Sequence, residues 1–116
     1  MSVINSLAYL RAAQAADVFR QALRDTDPDT RIAAAWGIAR IADPSAAEVL
    51  LKCAESHRGW ERINETDACL ALAENLVATG KRSKAAAIYS HLQRTRTELS
   101  ERHVYETAER GMMTAR

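Results

Sequence analysis

Residues 27–44 read DPDTRIAAAWGIARIADP. An Asp-Pro pair stands at each end, and such a pair places a capping carboxylate before a proline at the first helical position, where a missing N–H is tolerated. Between the pairs, alanine and isoleucine occupy two faces of one helix, which is typical of a helix buried between neighbours. The stretch therefore predicts a helix over residues 28–42 and a second helix over residues 44–56.

An internal repeat surrounds this stretch. Residues 15–22 (AADVFRQA) and residues 46–53 (AAEVLLKC) carry small, acidic and apolar side chains in the same order, 31 residues apart. One two-helix unit cannot bury its own apolar face, so a period of this length is typical of stacked helical hairpins. The repeat therefore predicts an α-solenoid.

Helix start and stop signals continue along the chain. A capping signal predicts a helix that begins at Asn64 and ends before Gly80, and the connection Ser56–Asn64 around Gly59 is expected to be irregular. In total we expect about seven helices in antiparallel hairpins, over residues 2–10, 14–25, 28–42, 44–56, 64–79, 83–95 and 100–113. We expect one domain, residues 1–116, with repeats at about 2–25, 28–56, 64–95 and 98–114, the last of them partial.

The composition agrees with an all-α fold. Alanine supplies 23 of the 116 residues, whereas aromatic residues supply only 5%. Alanine has the highest helix propensity, and strands favour β-branched and aromatic residues instead. The formal net charge of +1 gives no global indication of a nucleic-acid or anionic-membrane partner.

We expect a cytoplasmic protein that does not enter a membrane. Cys53 and Cys69 are too few for a disulfide framework and lie in apolar helical stretches, as buried reduced thiols do. Residues 2–10 lack the basic region of a signal peptide. The longest apolar run, residues 68–73, is far too short to span a bilayer.

Residues 27–44 also resemble a HEAT-like repeat of the phycobilisome-lyase type, whose pattern is Asp-Pro, a β-branched residue, an arginine, an alanine-rich helix and a second Asp-Pro. The resemblance is strongest over residues 14–56, and residues 68–92 are also similar to a tetratricopeptide hairpin. It implies an all-α, armadillo/HEAT-like superhelix. In such repeats the arginine and the aspartate hydrogen-bond between units, which implies structural roles for Arg31 and Asp43.

HEAT-like families include scaffolds, lyases, a deoxyhypusine hydroxylase and DNA glycosylases, so the fold alone does not determine the function. The repeated His-Glu pairs of a di-iron hydroxylase do not occur in the sequence. Cys53 and His57 lie four residues apart on one helix and could share a metal or form a nucleophile–base pair, but two ligands leave a zinc site incomplete without His91 or Cys69. We therefore expect no enzyme activity, no cofactor and no metal.

The most economical interpretation is a non-catalytic scaffold or assembly module that binds another protein. The resemblance implies that the second helix of each hairpin lines the binding surface. Trp60 is added because an aromatic residue on a loop is a common hot spot. The predicted partner-binding residues are Gln14, Arg20, Gln21, Arg24, Lys52, Glu55, Trp60, His91 and Arg94.

Three alternatives stay open. Residues 81–116 contain eight Lys/Arg and four Asp/Glu, so a basic C-terminal half could bind nucleic acid, with a cluster running from Lys81 to Arg96. Solenoid ends could associate into a homo-oligomer through Met112-Met113 or Leu7–Leu10. The chain could also be a fragment or subunit of a HEAT-like lyase.

Overall fold

A computed structural model describes residues 14–115 of the chain. The helices are α1 (residues 14–22), α2 (Pro28–Ile41), α3 (Ala47–Glu55), α4 (Gly59–Ala78), α5 (Arg82–Thr95) and α6 (Arg102–Ala115). Short 3-10 turns, Pro44–Ala46 and Leu99–Glu101, lead into α3 and α6. The described part contains no β-strand, and the all-α solenoid fold is confirmed. The helix count is about six rather than seven, and the expected helix over residues 2–10 lies outside the described residues.

The helix that the opening stretch predicts has the expected caps. The Asp27 side chain accepts the backbone N–H of Thr30 at 3.2 Å, and Pro28 is the first helical residue. At the other end, Ala42 adopts a left-handed conformation with φ of 52°, and its N–H donates to the carbonyls of Ile38 and Ala39. Because glycine is favoured at such a position, Ala42 ends the helix at some conformational cost.

The predicted start of α4 is wrong by five residues. The helix begins at Gly59 rather than at Asn64, so the irregular connection expected over Ser56–Asn64 is short. Gly59 has φ of +61°, which turns the chain into the helix, and Glu61 in the first turn is held by Arg31 of α2. The contact between Arg31 and Glu61 links α2 to α4 and stabilises the first turn of α4. The local sequence contains no capping signal for this turn.

The helices form two layers around α4. One layer contains α2, α4 and α6, and the second contains α3 and α5. Helix α4 contacts its two neighbours in the first layer and both helices of the second. Its buried residues therefore lie on several faces, as the two-sided apolar pattern predicts. These are Glu65, Thr66, Ala68, Cys69, Leu72, Ala73 and Leu76. In contrast, α6 buries only Val104, Ala108 and Ala115.

Two aromatic rings connect the layers by packing directly on glycine. A Cβ added to Gly37 of α2 would lie 2.6 Å from the ring of Phe19, and one added to Gly111 of α6 would lie 2.3 Å from the ring of Tyr89. Only the missing side chain permits this close approach. No helix of the described part is long and apolar enough to cross a membrane.

Candidate functional site

Eight of the nine predicted contact residues lie on α1, α3 and α5 or on the turn that follows α1. Gln14, Gln21, Arg24, Lys52 and Arg94 are exposed there. The other three are half-buried and contact side chains within the protein; these are Arg20, which pairs with Asp43, and Glu55 and His91, which contact each other. The prediction therefore mixes free side chains with side chains that stabilise the fold.

Arg20 is one of the stabilising residues. Its guanidinium donates to the Asp43 carboxylate at 2.8 Å and also contacts Asp17. Asp43 itself caps the 3-10 turn by accepting the Ser45 N–H at 3.1 Å. Arg20 therefore ties α1 to the next hairpin and is a poor candidate for partner contact.

The surface residues on these helices form one continuous line. Residues three or four positions apart are neighbours on a helix surface, so Val49, Lys52 and Glu55 follow one another along α3. Val49 lines a shallow depression with Arg24 of the α1 side. Glu55 contacts His91 of α5, and Arg94 lies one turn further along α5. We call this line the second-helix ridge; it consists of Arg24, Val49, Lys52, Glu55, His91 and Arg94.

Trp60 does not lie on the second-helix ridge. It occupies the first turn of α4, in the other layer, where 66% of its surface is exposed. Ile63 follows three residues later with 56% of its surface exposed, so the two side chains form a small apolar patch on one side of α4. Sequence reasoning missed Ile63 because it placed this residue in a connection rather than in a helix.

The proposed basic cluster is divided. Lys81, Arg82 and Lys84 are exposed at the start of α5, whereas Arg94 lies near its end. Arg96 is only 1% exposed and donates to Thr66 Oγ1 at 2.8 Å, so it belongs to the core. The cluster expected from Lys81 to Arg96 is therefore not one surface.

Of the residues suggested for self-association, Met112 and Met113 differ in exposure. Met113 is largely exposed, whereas Met112 is half-buried and packs against the core. The segment Leu7–Leu10 lies outside the described residues. In the described part, the C-terminal end of the stack is covered by an amphipathic helix rather than by an open apolar face.

A buried polar cluster lies where α3 meets α4. The ring nitrogen Nδ1 of His57 is 2.9 Å from Glu65 Oε1, 3.2 Å from Glu61 Oε2 and 3.9 Å from Cys53 Sγ. One ligand-type atom from each of Cys53, His57 and Glu65 lies within 4.8 Å of the others. Arg31 approaches from α2 and forms two hydrogen bonds to Glu61, at 2.7 and 2.8 Å.

Cys53 and His57 lie close together, but neither His91 nor Cys69, one of which a complete metal site was expected to need, joins them. His91 pairs with Glu55 instead, and Cys69 has its own buried position in α4. The sequence did not indicate Glu65 as a third residue, because the predicted start of α4 at Asn64 placed it at the beginning of the helix. With the helix beginning at Gly59, Glu65 falls in its second turn and faces the protein interior.

The charges in this cluster are strongly perturbed. Burial, together with the neighbouring Glu61, raises the pKa of Glu65 to about 7, whereas the hydrogen bond from Arg31 lowers the pKa of Glu61 to about 2. Burial raises the pKa of the Cys53 thiol to about 12. Since a thiol nucleophile reacts as the thiolate, Cys53 is not poised for nucleophilic catalysis at neutral pH.

Comparison of the chain with known protein families gives one match. A family model described as HEAT repeats matches residues 1–73, which cover α1, α2, α3 and most of α4. Neither the curated proteins nor the solved structures give a match to the chain.

Proposed function

The chain belongs to the HEAT-repeat family, and on this premise we propose that it is a non-catalytic module that binds another protein along the second-helix ridge. HEAT repeats are generally protein-interaction scaffolds. The observation that carries the proposal is the continuity of the ridge from Arg24, in the turn after α1, along α3 and through the Glu55–His91 pair to Arg94 of α5. A partner in extended conformation can follow such a surface.

The charge of the ridge supports a partner with acidic residues. Glu55 and His91 contact each other, so the side chains that point freely into solvent are the cations Arg24, Lys52 and Arg94. Lys52 approaches Glu48 at 3.4 Å, but both side chains are largely exposed and this pair contributes little to stability. Complementary charges at a rim raise the association rate and fix the register of a bound segment.

A triple charge reversal tests this surface. The variant Arg24→Glu/Lys52→Glu/Arg94→Glu should lose its partner when cross-linked complexes are captured from host lysate and identified by mass spectrometry. Lys81→Glu/Arg82→Glu/Lys84→Glu is the matched control, because it makes the same change in net charge at exposed positions outside the ridge. Retention of the same partner by the ridge variant contradicts the proposal.

The same experiment addresses nucleic acid. Each capture is repeated after nuclease treatment, which leaves a protein partner bound directly to the ridge. If all bound material disappears with nuclease and with the Lys81/Arg82/Lys84 variant, the chain is a nucleic-acid-binding domain and the protein-binding proposal is wrong. Binding through phosphate contacts would also weaken steeply with salt.

A further inference from the structure

We propose that Cys53, His57 and Glu65 form a binding site for one divalent transition-metal ion of the Zn²⁺ class at the junction of α3 and α4. This inference is independent of the proposed function. The three residues converge on one point because Cys53 lies in the last turn of α3, His57 follows in the short connection to α4, and Glu65 approaches them from the second turn of α4.

The spacing of the ligand atoms fits a small tetrahedral site. Metal–ligand bonds of about 2.0–2.3 Å place neighbouring ligand atoms roughly 3.3–3.5 Å apart around zinc. The observed separations from His57 Nδ1 are 3.9 Å to Cys53 Sγ and 2.9 Å to Glu65 Oε1. The third pair lies within 4.8 Å, so a rotation of the Glu65 carboxylate toward Cys53 completes the geometry.

Glu65 provides a second observation that points to a cation site. The side chain is fully buried, yet its Oε2 atom has no hydrogen-bond partner among residues 14–115. A buried carboxylate oxygen without a donor is destabilising, and native proteins normally satisfy such an atom with a donor, a water or an ion. A metal ion between Glu65, His57 and Cys53 accounts for this carboxylate.

The local charges favour a doubly charged ion. Arg31 and Glu61 neutralise each other through two hydrogen bonds, so they add no net charge beside the site. When the ion binds, Cys53 loses its thiol proton and Glu65 loses any proton it carries, and the two resulting negative charges balance M²⁺. Imidazole supplies the neutral third ligand.

The ligand set also selects the metal. Thiolate and imidazole favour Zn²⁺ and its neighbours in the first transition row, whereas Ca²⁺ and Mg²⁺ prefer oxygen ligands alone. Residues 1–13 and Arg116 contain no His, Cys, Asp or Glu. The fourth position is therefore left to water, which reaches the site past the partly exposed His57 side chain.

Co²⁺ is a direct probe of this site, because a cobalt–thiolate bond produces a charge-transfer absorption in the near ultraviolet. The reduced, chelator-treated full-length protein is titrated with Co²⁺ and then with Zn²⁺ in competition. We expect one equivalent of Co²⁺ to produce the thiolate band and Zn²⁺ to displace it. The proposal is overturned if the folded wild-type protein shows no thiolate band, or if the band requires Cys69.

Single substitutions assign the ligands. Cys53→Ser should remove the thiolate band, and Glu65→Gln should weaken Zn²⁺ binding by more than about 100-fold, since even the loss of a residue that only hydrogen-bonds to a ligand weakens metal sites by about 10–100-fold. Glu55→Gln is the matched control, because Glu55 also contacts a histidine but has no cysteine in that contact. Equal losses in Glu55→Gln and Glu65→Gln contradict the assignment, and circular dichroism verifies that both variants are folded.

Discussion

Arg62 repeats the contacts of Arg31 one unit later in the chain. In each residue Nε and Nη2 donate to the two oxygens of one carboxylate, Glu61 for Arg31 and Glu101 for Arg62, at distances between 2.7 and 2.9 Å. In each residue Nη1 donates to the carbonyl of a residue shortly before it, Asp25 or Glu55.

The two arginines are 31 residues apart, which is the spacing of the sequence repeat. The carboxylate partner belongs in each case to the following unit, so a forked ion pair links one unit of the stack to the next. The structural role that the family resemblance implies for Arg31 therefore has a definite partner. Asp43 makes its own contact between units, with Arg20 of α1 rather than with Arg31.

We expect Arg31→Gln to lower the free energy of unfolding by about 2 kcal/mol, because the substitution leaves the Glu61 carboxylate without its two donors in a partly buried site. Only 14% and 12% of the two side chains are exposed. Arg31→Lys should also destabilise the protein, since an ammonium cannot replace the fork. Urea denaturation measures both changes.

Arg102→Gln is the control for this comparison. Arg102 pairs with Glu106 at 3.0 Å, but the side chains are 72% and 50% exposed, so we expect a loss below about 0.5 kcal/mol. If Arg31→Gln and Arg102→Gln lower the unfolding free energy equally, the forked pairs do not hold the units together.

We expect Ala42→Gly to stabilise the protein slightly, by up to about 1 kcal/mol, because Ala42 has φ of 52° and glycine adopts this conformation without a Cβ clash. Ala33→Gly makes the same chemical change at an exposed position within α2 and should destabilise the protein by about 1 kcal/mol. Thermal denaturation distinguishes the two. A lower melting temperature for Ala42→Gly would show that the backbone at residue 42 is not strained.

The buried carboxyl of Glu65 makes stability depend on pH. Its pKa is raised in the folded protein from the ordinary value of 4.5 to about 7, so the folded state holds the proton more tightly than the unfolded state. The contribution of this group to stability is therefore lost as the pH rises from about 4.5 through 7. The groups around the Glu65 carboxyl are Cys53, His57, Glu61 and Arg31. They are the same in the wild type and in Glu65→Gln.

The test compares Glu65→Gln with the wild type at pH 5 and pH 8 in the presence of a chelator. We expect the melting temperature of the variant to rise relative to that of the wild type as the pH increases, because the substituted amide has no charge to bury. Glu61 has the opposite effect on stability, and at lower pH. Its pKa is lowered to about 2 in the folded protein, so the stability that it contributes is lost as the pH falls below about 4.5. A difference that is constant between pH 5 and pH 8 rules out ionisation of Glu65 in this range.

We expect Trp60→Ala to leave partner binding within about threefold of the wild type and the unfolding free energy within about 0.5 kcal/mol, because Trp60 lies on α4 and not on the second-helix ridge. The unfolding free energy is expected to change little because Trp60 is 66% exposed and does not pack in the core. Leu99→Ala is the control, since Leu99 is also apolar and is 82% exposed. A loss of binding of about 10-fold or more in Trp60→Ala, with no loss in Leu99→Ala, would place the partner on α4 rather than on the ridge.

The elements that the sequence predicted well are those with local signals at both ends. Asp27 and Pro28 at the start of α2, and Asp43 and Pro44 before α3, act over a few residues and are legible without the fold. The 31-residue repeat was equally legible because stacked units require similar apolar positions. These features were sufficient to predict hairpins in a solenoid.

The errors concern residues that are positioned by other helices. The first turn of α4 depends on Arg31, which lies 30 residues from Glu61 and gives no signal in the local sequence. Because that turn was not predicted, Trp60 and Ile63 were assigned to a loop, and Glu65 was not recognised as an interior residue. Arg96 was assigned to a basic surface for the same reason, since its burial depends on Thr66 and Glu101.

The central claim is that the second-helix ridge binds a protein partner. The most direct measurement is the dissociation constant of the purified partner for Arg24→Glu/Lys52→Glu/Arg94→Glu and for the control Lys81→Glu/Arg82→Glu/Lys84→Glu. We predict that binding to the ridge variant is weaker by on the order of 100-fold, and that the control stays within about threefold of the wild type. Equal dissociation constants for the two variants would contradict the claim.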